Sequence, residues 1–198
     1  MSQSSQKQAN RENLLAKGVT LLTQQGYHGT GLKEILDAVQ IPKGSFYNYF
    51  GSKENFGAEV VQYYLAPFIK QLESHLQADQ QDALMAIKRY FNELIIELEQ
   101  ADFKGGCLLG NLMGELGDTS DIVRTSLQLA VNQYRNVLRY GLERAQQEGT
   151  VRTDKSAEEL ADLLVNTWQG VLLRMKIEKS SLPLRQCCEN LLDDYFKA

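Results

Sequence analysis

The sequence predicts an all-α chain. Apolar residues recur three and four apart along nearly its whole length, no stretch alternates as a strand would, and Ser, Gly and Pro stand where helices would start or stop. Its 198 residues are 43% hydrophobic and 23% charged, with only three prolines. That composition belongs to a globular protein and excludes a largely disordered or fibrous one.

The elements follow in order. Leu14, Leu15, Gly18, Val19, Leu21 and Leu22 form the stripe of a first helix, which Gly26 stops. Thr30 is placed to cap a short second helix carrying Leu32, Ile35, Leu36 and Val39. Gln40 and Ile41 make a tight turn. Pro42 suits the first position of a third helix, about Lys43 to Tyr49, which Gly51 and Ser52 end. Ser52 is expected to cap a long fourth helix, with Glu54 near its positive end.

Longer helices make up the remainder. Ala83, Ile87, Phe91, Leu94, Ile95 and Leu98 share one face, and Gly105-Gly106 then breaks the pattern before a short helix from Cys107 to Leu116. Val123, Leu127, Ala130, Tyr134, Val137, Leu138 and Gly141 mark a long helix that stops at Gly149. Ser156 and Glu159 form a capping box for a helix carrying Leu160, Leu163, Leu164, Thr167, Trp168, Val171, Leu172 and Met175. Pro183 opens the last helix, with Leu184, Cys187, Leu191, Leu192 and Tyr195 on it. The apolar band after Ser156 is wide, and the final helix adds a second. The pair would either pack against the same pair of a second copy or close the monomer's own core.

Several function classes drop out. No apolar run approaches the roughly 20 residues that span a bilayer, and the polar N-terminus does not read as a secretory signal. Three cysteines, with Cys187 and Cys188 adjacent, are no disulfide framework and suit a reducing cytoplasm. Two histidines and no Cys/His cluster argue against a metal site, and the absence of GxGxxG and GxxxxGK[ST] patterns argues against a nucleotide cofactor. No cofactor is expected. The net charge of −4 hides an asymmetry: through residue 55 six cations face four anions, a balance of +2 that leaves −6 for the rest. A mildly basic head on an acidic body points to the head as the part that meets a polyanion.

The stretch from Gly26 to Phe56 reads as helix, tight turn, short helix, the layout that sets its second helix in the major groove. Lys43, Gly44 and Ser45 open that helix, where side chains and backbone N–H groups reach base edges or phosphates. Gly44 permits a close backbone approach. The hydroxyl of Tyr47 and the charge of Lys53 suit phosphate oxygens.

These residues resemble the TetR family of bacterial repressors. Gly26-Tyr27, Thr30, Ile35, Pro42-Lys43-Gly44-Ser45, Tyr47, Tyr49-Phe50 and Ser52-Lys53-Glu54 fall at that family's spacings, and the following run of helices is similar to its layout. Gly31 departs from it, standing where the family usually has Ser or Thr, which removes one phosphate hydrogen bond. The resemblance implies a helix-turn-helix DNA-binding domain over residues 1–52 and a helical effector-binding and dimerisation domain over 53–198. It also implies a cytoplasmic homodimer on a pseudo-palindromic operator in double-stranded DNA, released by a small organic effector. By position, Thr30, Tyr47 and Lys53 would hold phosphates, while Lys43, Gly44 and Ser45 would touch bases. Phe46, Tyr49 and Phe50 are expected in the core of the head. Lys7 and Arg11 are expected to lie in a disordered tail, the alternative being an arm that they add to the DNA backbone.

Phe68, Phe91, Cys107, Asn111, Tyr134 and Trp168 lie on core-facing stripes and are the candidates to bind the effector, plain packing being the alternative for each. Cys107 starts a short helix and has Lys104 nearby, a setting that favours the reactive thiolate. The Gly106-Cys107-Leu108 segment is similar to that of family members sensing electrophiles or oxidants through one cysteine. Covalent modification of Cys107 is therefore an alternative switch. Two readings of other classes remain: a thiol-dependent enzyme using Cys107 with His28 or His75 as base, and a helical adaptor. The adaptor leaves the Lys43 to Lys53 constellation without a role, and no catalytic residue is assigned.

Overall fold

A computed structural model describes residues 3–78 and 82–198. Among these the regular structure is helical, with one isolated antiparallel bridge between Val151 and Lys197. The helices are α1 (Gln3–Gly29), α2 (Leu32–Val39), α3 (Lys43–Phe50), α4 (Lys53–Gln77), α5 (Ala83–Gln100), α6 (Leu108–Leu116), α7 (Asp121–Gln147), α8 (Ala157–Glu178) and α9 (Leu182–Cys188). A π-helical turn, Glu189–Tyr195, continues α9. The all-α expectation holds, and an N-terminal helix-turn-helix opens the chain.

The chain divides into two compact units, residues 1–66 with 108–130, and residues 67–107 with 131–198. This division by compactness differs from a division by role at residue 52, because α6 and the start of α7 pack with the N-terminal helices.

In the first unit, Leu14, Leu22, Ile35, Phe46, Phe56, Val60 and Leu112 are fully enclosed. Gly18 allows α1 to lie close on α4: a Cβ there would meet Phe56 at 2.5 Å and Val60 at 2.8 Å. The rings of Phe46, Phe50 and Phe56 stand 5.0–5.2 Å apart, so two of the three aromatics expected in the core are there. Tyr49 is half exposed.

Several stop and start signals operate as expected. Gly26, at φ 75° and ψ 175°, breaks the helical path of α1 before its last residues. The hydroxyl of Ser52 accepts from the Asn55 amide at 3.0 Å, capping α4. The Ser156–Glu159 capping box is complete. Pro183 lies in the first turn of α9, and Gly149 (φ 75°) follows α7.

Four expectations are corrected. The residue that caps α2 is Gly31, with no side-chain hydrogen bond; Thr30 points inward and donates its hydroxyl to the Gly26 carbonyl at 2.7 Å. Pro42 is the cap of α3 and not its first residue, since its ψ of 144° is extended. The expected disordered tail is helical from Gln3, because Arg11 pairs with Glu59 on α4 and stacks over Phe50, anchoring the polar turns ahead of the core. Met1 and Ser2, which open that tail, lie outside the described residues. Leu163, placed on the apolar stripe of α8, is 38% exposed.

In the second unit, Tyr90, Phe91, Ile87, Leu138, Leu164, Trp168 and Met175 build one core from α5, α7 and α8, closed by Leu184, Cys187 and Leu192.

Candidate nucleic-acid interface

Only eight residues long, α3 buries Phe46 and Phe50 and turns its other side outward. Lys43, Gly44, Tyr47 and Asn48 are exposed, and Ser45 is half exposed. A Cβ on Gly44 would meet nothing within 4 Å, so the first turn of α3 presents bare backbone to the outside. Lys43 holds its ammonium 5.8 Å from the centre of the Tyr47 ring. A cation, a phenol and an open backbone thus share the start of one helix, where unpaired N–H groups favour an anion.

The other two expected phosphate residues are placed differently. Thr30 has no exposed surface, so its side chain does not reach a phosphate in this arrangement. Lys53, half buried, donates to the Tyr27 carbonyl at 2.7 Å and lies 4.2 Å from the centre of the Tyr27 ring. Burial holds its ammonium below the ordinary lysine range, with the nearby Glu115 carboxylate opposing that shift. The same burial, and then the charge of Glu54, push the Tyr27 phenol upward.

Glu115 on α6 had no signal in the sequence. It accepts from the Tyr27 amide at 3.1 Å and the His28 amide at 3.0 Å, holding the chain where α1 ends. Nothing in a lone Glu on a short helix marks it for that task.

The effector candidates separate by unit. In the second, Phe91 and Trp168 meet edge to face at 4.7 Å, and Phe68, Cys107 and Tyr134 are partly buried against the same core. Tyr90, on the α5 stripe between Ile87 and Leu94, is a further aromatic of this core. It is fully enclosed, 5.3 Å from Phe91 and 6.3 Å from Tyr134, and burial pushes its phenol far upward. Asn111 belongs to the first unit, where its amide donates to the Thr23 carbonyl at 3.4 Å. Two hollows, of about 230 and 810 Å³, are lined by other residues, among them Lys88, Arg185 and Cys188 for the smaller and Val137, Tyr140 and Arg144 for the larger.

Cys107 directly precedes α6 and follows two glycines at positive φ, 89° and 69°. Lys104 forms an exposed ion pair with Asp102 at 3.3 Å, so its charge is partly answered. A second cation was out of sight in the sequence: the Lys176 stem runs beside Gly106, 3.6 Å from where a Cβ would stand. Of the two histidines proposed as bases, His75 is hydrogen-bonded through Nε2 to Glu93 at 2.8 Å and His28 lies edge-on to Tyr27. Among the described residues no group of three or more acidic, His or Cys side chains could hold a metal ion, and no helix is long and apolar enough to cross a membrane.

Comparison with known proteins covers both parts of the chain. Residues 14–60 match the model for bacterial regulatory proteins of the tetR family, and residues 83–191 match that for the tetracyclin repressor-like C-terminal domain. The transcriptional repressor DhaR of Mycobacterium sp. strain GP1 is 36% identical over 176 residues, 89% of this chain and 87% of DhaR. NemR of Escherichia coli K12, also a transcriptional repressor, is 32% identical over 88% of this chain and 87% of its own. The crystal structure of reduced E. coli NemR superposes with a TM-score of 0.87 at 29% identity, covering 96% of this chain and 97% of that one. A TetR regulatory protein from Rhodobacter sphaeroides superposes at 0.84 and 29%, over 91% and 96%.

Proposed function

Because the chain belongs to the TetR family of bacterial regulatory proteins, and so is a DNA-binding transcriptional regulator, we propose that it works as a homodimeric repressor in the cytoplasm. Two copies of α3 read a pseudo-palindromic operator, and a small organic effector in the second core releases it. The observation that carries this reading is the open start of α3, with Lys43, Gly44, Ser45 and Tyr47 turned outward and nothing standing over Gly44. Lys43, Gly44 and Ser45 meet base edges and Tyr47 a phosphate. Lys53 acts there through Tyr27, whose carbonyl it holds, and presents its remaining N–H groups to the backbone. By role, DNA binding falls to residues 1–52, effector binding and dimerisation to 53–198. A preference of a few kcal/mol of the effector for the released state is enough to empty the operator.

The test is affinity for duplex DNA from upstream of the protein's own gene, titrated at one stated salt concentration. Tight binding that weakens steeply with salt is expected, with Lys43→Ala and Tyr47→Phe both weaker while folded and dimeric. Unchanged affinity in both variants overturns the site.

A second reading has its own observation, the placement of Cys107 between two positive-φ glycines and α6 with the Lys176 stem alongside. In this reading alkylation or oxidation of the Cys107 thiol is the switch. Iodoacetamide treatment should then abolish operator binding in the wild type and leave Cys107→Ala unaffected; indifference in the wild type overturns this reading in favour of a reversible ligand.

A further inference from the structure

The helix α1 begins about three turns before its first core residue, Leu14. Lys7, Arg11, Leu14 and Gly18 stand at helical spacing on one face, so the face that is core further along carries two cations ahead of it. They do different things. Arg11 is spent on Glu59 and on the Phe50 ring, 5.4 Å from its centre. Lys7 is exposed and lies 6.0 Å from the centre of the Tyr49 ring, on α3 itself. The carboxylate nearest to it along α1, that of Glu12, accepts from Gln8 at 2.7 Å.

Tyr47 and Tyr49 are two residues apart and so point to nearly opposite sides of α3. Lys43 lies against the first and Lys7 against the second. The recognition helix is therefore flanked by an ammonium on each side. A helix seated in the major groove, about 12 Å wide, has a phosphate strand along each of its flanks. We propose that Lys7 binds a DNA backbone phosphate on the flank of α3 opposite Tyr47, and that Arg11 is the anchor that holds the N-terminal turns of α1 there. Tyr49 keeps the Lys7 ammonium over α3, so the lysine is partly pre-organised before DNA arrives. The contact is to phosphate and not to a base, which makes it independent of operator sequence.

This inference rests on the reading of α3 as the DNA-binding helix, and the experiment separates the two. Fluorescence anisotropy of a labelled duplex from upstream of the gene is followed over a range of sodium chloride concentrations for the wild type, Lys7→Gln, Lys7→Arg and Lys70→Gln. Lys70 is an exposed lysine of α4 in the other unit and controls for net charge. Loss of two phosphate contacts per dimer should reduce the slope of log K against log salt by about 1.8 and weaken binding roughly ten- to a hundredfold near 0.1 M salt. Lys7→Arg should restore both, Lys70→Gln should change neither, and none should alter the thermal midpoint by more than about 2 °C. A Lys7→Gln slope equal to that of the wild type overturns the inference and leaves the function standing. A wild type that shows no salt-dependent binding to DNA overturns the function, and the inference with it.

Discussion

Glu115 holds the Tyr27 amide at 3.1 Å and, through its other oxygen, the His28 amide at 3.0 Å, while Lys53 holds the Tyr27 carbonyl at 2.7 Å. The peptide groups around Tyr27 are thus gripped from α6 on one side and α4 on the other. The Tyr27 donor would be orphaned if Glu115 were truncated, because Tyr27 is buried, whereas the exposed His28 amide could turn to water. Glu115→Ala should cost about 1–3 kcal/mol of stability, read as a drop in the denaturant midpoint. Gly26→Ala should cost at least about 2 kcal/mol, since φ 75° with ψ 175° is essentially a glycine conformation and a Cβ there would collide with the Glu115 carboxylate. A Gly26→Ala midpoint equal to that of the wild type would show that the turn is not held as described.

A substitution at Gly44 should separate binding from folding. Space around it is open, and it lies in a helix where alanine is favoured by roughly 0.5–1 kcal/mol. Gly44→Ala should therefore leave the melting temperature unchanged or slightly raised. It should nonetheless weaken operator binding about tenfold or more, because the added methyl stands where DNA would approach the backbone. Thermal melting and anisotropy on the same preparation check both halves. A loss of affinity accompanied by a lower melting temperature would count against the close approach.

How far these features could be read from the sequence depended on how local their causes are. The Ser52 cap, the Ser156–Glu159 box and the Gly149 stop are short-range hydrogen-bond or backbone devices, and each stands where the pattern placed it. Thr30 failed as a cap because the competing acceptor, the Gly26 carbonyl, becomes available only through the break in α1. Helix at residues 3–10 was hidden for a similar reason: Ser and Gln carry no apolar period, and the support comes from Glu59 nearly fifty residues away. Glu115 and Lys176 act on segments 87 and about 70 residues distant, which no spacing rule reaches. Tyr90 was legible on its stripe; its enclosure was not, since that depends on α7 and α8 closing over α5.

The outward face of α8 predicts the dimer. Leu163, Gly170, Leu173 and Ile177 stand at helical spacing, and the three large ones are 38%, 49% and 82% exposed. A Cβ on Gly170 would meet nothing within 4 Å. Apolar side chains left out of their own core at this spacing suit the seam of a helix pair related by two-fold symmetry. Burying the exposed half of this leucine on each subunit contributes about 1.5–3 kcal/mol, and a carboxylate there adds a desolvation cost, so Leu173→Glu should weaken dimerisation by roughly a hundredfold or more. Sedimentation velocity should show monomer at micromolar concentration, and operator affinity should fall in parallel as the two heads lose their tether. A dimer of undiminished stability would move the interface elsewhere.

The three cysteines should respond differently to alkylation. Burial pushes the Cys187 thiol up to about 11, and burial with the neighbouring Cys187, Asp193 and Glu189 charges pushes Cys188 up to about 12. Both therefore stay protonated and weakly nucleophilic at pH 8, whereas Cys107 is half buried ahead of α6. Brief iodoacetamide treatment of the native protein at pH 8, followed by peptide mass spectrometry, should label Cys107 first and all three only after unfolding. The same shifts set a pH dependence. Well below pH 9, the ordinary value of an unburied thiol, the two thiols are protonated whether the chain is folded or not, and they contribute nothing to the slope. Between pH 9 and the folded values of about 11 and 12 the unfolded chain releases protons that the folded one retains, so stability falls as pH rises. At pH 10 the loss is roughly tenfold in the folded-to-unfolded ratio per thiol. Cys188→Ala should flatten that alkaline limb by about one thiol's share while leaving stability between pH 7 and 8 less affected. Urea midpoints at pH 8 and pH 10 for both proteins decide it, and an equal drop in the two would show that the Cys188 thiol is not held protonated by the fold.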